Sequence, residues 1–163
     1  MSDVSLSELE QVFRDFDVEN PMHYLRMEKI FNESPQLKVM GFALDLNNPH
    51  EPRGYIDEVR EFHRGGVGGR NVNGAIISGL CDLMVGTTGF AFLDRPKIAT
   101  ARVDVRLLRP LAGDRVEARS RVRRVRGNRV FSEVDVMDEK GRVCTRAKGV
   151  VVFGIGGGKP AGE

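Results

Sequence analysis

The sequence has few of the residues that carry reactive chemistry. It contains two cysteines, three histidines and two tyrosines in 163 residues. Cys81 and Cys144 form no C-x-x-C pair, and no His/Cys/Asp grouping has metal-ligand spacing, so no metal site is expected. Two cysteines allow one disulfide, but reduced cytosolic thiols are the simpler reading. Net charge is only +2, which gives no global attraction to nucleic acid or an acidic membrane. The arginine run at 119–129 lacks the interleaved aromatics that stack on bases, so nucleic acid is not an expected partner. Ser78 is not in a G-x-S-x-G elbow, and GGVGG lacks the G-K-[ST] of a phosphate loop. The N-terminal MSDVSLSELEQVF lacks the basic and apolar regions of a signal peptide, and a cytoplasmic protein is expected.

What is present suits one domain with a real core. Residues 5–16 and 21–33 read as short helices, with Ser5 or Ser7 as a cap for the first and Pro21 opening the second. Residues 36–47 hold a candidate strand that runs into a loop rich in turn formers, and 55–63 read as another extended piece. Four alternating segments follow at 98–109, 114–126, 129–138 and 142–153, joined by PLAGD, RGN and DEKG. In the first of them Ala99, Ala101, Val103, Val105 and Leu107 share one face, and Thr100, Arg102, Asp104 and Arg106 the other. The pattern predicts an α+β fold: an antiparallel sheet with one apolar and one charged face, covered by one long helix. The expected division is an N-terminal helical extension at 1–35, a domain at 36–153 and a flexible tail at 154–163.

That helix comes from the apolar stretch after Gly74, ending at Leu93. It is nearly long enough to span a bilayer, but it carries Asp82 and three glycines, so a buried helix and no membrane are expected. Ala75, Gly79, Asp82, Gly86 and Gly89 fall on one narrow stripe. Interior glycines each cost about 1 kcal/mol relative to Ala, so the stripe calls for close approach of another backbone, a sheet or a second helix. Asp82 is the only charged residue between Arg70 and Asp94. Desolvation there favours its neutral form, whereas nearby donors hold it charged. It reads either as a structural aspartate bonded to an arginine or backbone amides, or as a functional carboxylate. A glycine loop running into the helix start presents free N–H groups suited to an anion or oxyanion.

The stretch NGAIISGLCD followed by TARVDVRLLRPLAGDRVEARSRV resembles the PaaI-like branch of the hotdog-fold acyl-CoA thioesterases, over residues 73 to about 153. That resemblance implies a long central helix wrapped by an antiparallel sheet of about five to six strands. It implies a homodimer with active sites at the interface, or a homotetramer, and a hydrolase whose coenzyme A is part of the substrate rather than a cofactor. It places Asp82 on the catalytic acidic position as general base or nucleophile, Gly74 on the glycine whose N–H polarises the thioester carbonyl, and Thr100 on a hydroxyl near the attacking water. Asn73 stands where the family has histidine, and Ala75 where it has a second glycine; Asn73 can orient the carbonyl but cannot titrate. Arg126 and Arg129 at a hairpin tip are candidate contacts for the coenzyme A phosphates, while most of the run from Arg119 pairs with Glu117, Glu133 and Asp135. His63 reads as a pocket residue, a substitute for the missing histidine, or a lone surface histidine. Two rivals stand beside hydrolysis: a hotdog hydratase or dehydratase, which needs His63 to meet Asp82, and a non-catalytic acyl-CoA binder.

Overall fold

The computed structural model describes residues 11, 15–65, 69–92 and 98–154. Most of the expected helix at 5–16, the middle of the glycine loop and the tail beyond Gly154 lie outside them. Helix α1 spans Pro21–Glu33, opened by Asn20, whose Oδ1 accepts the Met22 N–H at 3.0 Å. Helix α2 spans Pro35–Met40, capped by Ser34 and stopped by Gly41 at φ +63°. A Cβ on Gly41 would also stand 2.9 Å from the His63 ring, so only glycine fits there.

Two expectations are corrected here. Within 36–47, residues 36–40 are helical and the expected strand is shortened to Ala43–Asp45, β1. The Ser-Pro start and the glycine stop outweigh the β-propensity of Val39. The extended piece expected at 55–63 is instead β2 at Arg53–Ile56 and a 3-10 turn at Glu61–His63. The chain turns back there because His63 Nδ1 accepts the Arg60 N–H at 2.8 Å.

A short hairpin follows, β3 at Arg64–Gly65 and β4 at Asn71–Val72, leading directly into helix α3 at Gly74–Thr87. The four long strands appear as expected: β5 Ile98–Leu107, β6 Val116–Arg126, β7 Arg129–Asp138 and β8 Val143–Phe153. The main sheet is antiparallel, in the order β1-β2-β6-β7-β8-β5, so β5 forms one edge.

Helix α3 lies against the inner face of this sheet. Leu80, Cys81, Met84 and Val85 are fully buried against strand residues such as Val116, Val134, Val136 and Val151. The close approach comes from glycines in the sheet, and from Gly89 of the stripe, where a Cβ would stand 3.0 Å from Val151, rather than from glycines within α3. A Cβ on Gly149 would run into Val85, and one on Gly54 into Met84. By contrast, a Cβ on Gly79 would meet only the side chains of Met40 and Phe42, at ordinary distances of 3.7–3.9 Å.

A smaller cluster of Tyr24, Met27, Leu46 and Phe90 packs α1 over the far end of α3. Asn32 fastens α1 to β1 by accepting the Leu44 N–H at 2.7 Å and donating to the Leu44 carbonyl at 2.9 Å.

Two of the three register slips in the main sheet set which side chains of β5 and β6 reach the helix. The pairing of β5 with β8 slips between Thr100 and Arg102, and that of β6 with β7 slips between Val122 and Arg124. Each bulge inverts the alternation beyond it. Thr100 therefore does not share the charged face of Arg102 and Asp104, as simple alternation predicts; it joins Val103 and Val105 on the helix side. The same slip on β6 turns Arg124 and Arg126 outward.

Candidate active site

Helix α3 begins at Asn73, whose Oδ1 accepts the Ala75 N–H at 2.8 Å. The Asn73 main-chain N–H donates to the His63 carbonyl at 2.8 Å. This leaves the Gly74 N–H, at the positive end of the helix, with no acceptor among the described residues. Val72 N–H donates to the Leu111 carbonyl, and Asn71 bridges to Ala112, which draws the 110–112 turn alongside the helix start. Between them lies a cleft of about 570 Å³ lined by Asn73, Gly74, Ile77, Leu107, Leu108 and Arg109, among others. The sequence reading does not single out the cleft residues of the Leu-Leu-Arg-Pro segment. A signal is present: two consecutive leucines break the alternation at the end of β5.

Asp82 is exposed, on a helix face that also exposes Ala75 and Ser78. No hydrogen bond or ion pair holds its carboxylate among the described residues, so the structural reading, a carboxylate bonded to arginine or amides, finds no partner. Gly74 and Asp82 are eight residues apart, about 12 Å along the helix axis. Within one chain they cannot both touch one thioester group. Thr100 is one turn beyond Asp82, beside Gly86: a Cβ on Gly86 would stand 3.6 Å from Thr100 Oγ1. Thr100 and Asp82 thus sit within one turn of each other toward the C-terminal half of the helix, and Asn73 and Gly74 at its start.

His63 is neither on the surface nor in the cleft; it is 0% exposed. With Nδ1 accepting from the Arg60 N–H, Nε2 donates to the Met40 carbonyl at 2.8 Å. Both ring nitrogens are occupied, which removes the histidine that a hydratase would need. Cys81 is fully buried, and burial pushes its thiol up to about 12, so it stays protonated at neutral pH and is no nucleophile.

Arg126 and Arg129 flank the Gly127-Asn128 turn on the outer face, paired with each other across the hairpin. Along β8, Arg129 is level with Val152 and Leu107 with Thr145, seven residues or about 23 Å apart. The two arginines are therefore remote from the Gly74 cleft of their own chain. Of the rest of the arginine run, Arg119, Arg121 and Arg123 pair with carboxylates as expected, whereas Arg124 lies over the Phe131 ring, 4.2 Å from its centroid. Arg121 bonds Glu133 at 3.1 Å and Asp135 at 3.2 Å, Arg146 bonds Asp135 at 3.1 Å, and Arg119 bonds Glu117 at 2.7 Å.

Residues 69–145 match the family model described as the thioesterase superfamily. The fold is similar to several solved structures. A protein of Shewanella oneidensis related to the thioesterase superfamily aligns with TM-score 0.72 at 17% identity, over 80% of this chain and 95% of that one. The Escherichia coli PaaI protein from the phenylacetic acid degradation operon aligns with TM-score 0.69 at 14% identity, over 84% and 94%. A point mutant of the phenylacetic acid degradation protein PaaI from Thermus thermophilus aligns with TM-score 0.64 at 23% identity, over 74% and 99%. No curated protein matches the sequence.

Proposed function

We propose that this hotdog-fold chain, whose residues 69–145 match the thioesterase superfamily, hydrolyses an acyl-CoA thioester at sites shared by two copies of the chain. One observation carries this reading. A free Gly74 amide faces a cleft and an unpartnered Asp82 carboxylate lies exposed about 12 Å along the same helix, so a second copy is needed to bring the two together.

The thioester oxygen accepts the Gly74 N–H, where the α3 dipole favours developing negative charge. The amide of Asn73, held in place by the cap it makes to Ala75, adds a neutral donor beside it. Asp82 of the second copy takes a proton from a water molecule that the Thr100 hydroxyl of that copy positions. The water oxygen attacks the carbonyl carbon, the C–S bond breaks, and the proton passes to the departing thiolate. The products are the free acid and coenzyme A.

The pairing surface is supported by the edge. β5 offers ten residues with no neighbour on its outer side among the described strands, and long open edges invite pairing. Leu107 and Leu108 are 59% and 48% exposed at its end.

Subunit complementation tests the shared site. Gly74→Pro deletes the amide hydrogen while keeping the helix start, since proline suits the first helical position, a Cβ there meets only Leu107 at 3.6 Å, and Asn73 already has the extended backbone that must precede it (φ −63°, ψ 139°). Gly74→Pro and Asp82→Asn should each release almost no thiol. Mixed and refolded together, they should regain about a quarter of wild-type activity, because random pairing restores one of two sites in half of the dimers. No regain would overturn the shared site. Binding of acyl-CoA by the wild type without thiol release would instead support a non-catalytic binder.

A further inference from the structure

Among the described residues, the cleft at the start of α3 has a single charged residue in its lining, Arg109. Every other lining residue is apolar, glycine, proline or asparagine, among them Val72, Ile77, Leu107, Leu108 and Leu111. Arg109 is exposed, and its guanidinium has no ion pair or hydrogen bond among the described residues. That contrasts with Arg119, Arg121, Arg123 and Arg146 on the outer sheet face, which all pair with carboxylates. Its main chain is fixed, since the Arg109 N–H donates to the Cys144 carbonyl at 3.2 Å. Pro110 follows and restricts it further. The cleft therefore combines an apolar wall, a free amide donor at a helix N-terminus and one unspent cation on a rigid backbone.

We infer that Arg109 is the residue that holds the phosphate groups of the substrate's coenzyme A portion, and that this cleft is where that portion enters. The inference rests on the thioesterase reading for the identity of its ligand. It moves to Arg109 a role expected of Arg126 and Arg129, which stand at the opposite end of the sheet. Guanidinium groups suit this task because their paired N–H donors match phosphate oxygens. Arg126 and Arg129 are equally without a carboxylate partner among the described residues, so it is the place of Arg109 in the cleft lining that decides between them.

Two measurements test it with the full-length protein. The first is titration calorimetry with free coenzyme A against wild type, Arg109→Ala and the double variant Arg126→Ala/Arg129→Ala. Arg109→Ala should weaken binding at least about tenfold, as loss of a charge-assisted phosphate contact does, and the double variant should stay within about twofold. Equal loss in both, loss only in the double variant, or no coenzyme A binding by the wild type would overturn the assignment. The second compares an acyl-CoA with the same acyl group on N-acetylcysteamine, which has no phosphate. Arg109→Ala should raise KM for the first while leaving kcat for it, and both constants for the second, unchanged. Equal damage to both esters would mean that Arg109 is merely structural. If the wild type hydrolyses neither ester, the hydrolase reading fails, and coenzyme A binding still decides the role of Arg109.

Discussion

Thr100 faces Gly86, with its hydroxyl oxygen 3.6 Å from the point a Cβ on that glycine would occupy. The contact depends on one irregularity. The slip in pairing after Thr100 places Ala101 out of step, so Thr100 turns toward the helix while Arg102 turns away. A regular strand would put the hydroxyl on the charged outer face, on the wrong side of the sheet from Asp82. The absence of a side chain at Gly86 keeps the space beside that hydroxyl open.

Thr100→Val keeps the shape of the residue and deletes the hydroxyl. Turnover should fall about tenfold with KM little changed, as expected when a group acts on the reacting water rather than on substrate binding. Thr100→Ser should retain most activity. Steady-state thiol release from one acyl-CoA distinguishes them, and equal loss in both variants would show that only packing was disturbed.

Asp82→Asn should lower kcat by roughly 10²–10⁴-fold, the usual contribution of a positioned general base. Because Asp82 is exposed and unpartnered in the single chain, the melting temperature and coenzyme A affinity should stay near wild type. Full turnover in this variant would remove Asp82 from the mechanism.

The glycines in the sheet and in the helix should respond in opposite directions. Gly149→Ala places a Cβ against Val85 and should destabilise the protein by about 1–3 kcal/mol. Gly79→Ala meets only ordinary contacts with Met40 and Phe42 and should stabilise by up to about 1 kcal/mol through helix propensity. Urea midpoints at unchanged slope measure both.

Asp138 supplies an acid-sensitive contribution to stability. Burial pushes its carboxyl up, but the Arg142 guanidinium at 2.8 Å and the Arg142 and Lys140 amides outweigh that and hold it below the ordinary 3.8. A group lowered on folding stabilises above its unfolded value and loses that effect as pH falls toward its folded one. Asp138→Asn should therefore lower the melting temperature at pH 7, and the gap to wild type should narrow by pH 3. A gap independent of pH would mean that shape rather than charge matters at the β7–β8 turn.

The four long strands, the apolar helix and the isolation of Asp82 are legible in the sequence because each depends on local periodicity. The helix at Pro35–Met40 is also encoded locally, in Ser34-Pro35 and Gly41, but the apolar residues between them read equally well as a strand. His63 is not legible, since its burial depends on the Met40 carbonyl, 23 residues earlier in the chain. Nor is Arg109, because spacing along the chain does not say which arginines find carboxylates.

The Gly74 and Asp82 pair shows the same division. The sequence alone put a glycine with a free amide at the start of an apolar helix and one carboxylate eight residues later, because helix caps and helix faces follow from spacing. Only the tertiary structure decided what that spacing can do. Eight residues of helix hold the two groups about 12 Å apart, and a bulge in β5 turns Thr100 toward the Asp82 end. Side-chain alternation is a local property, but a bulge and a rigid helix act through the pairing and packing of distant strands.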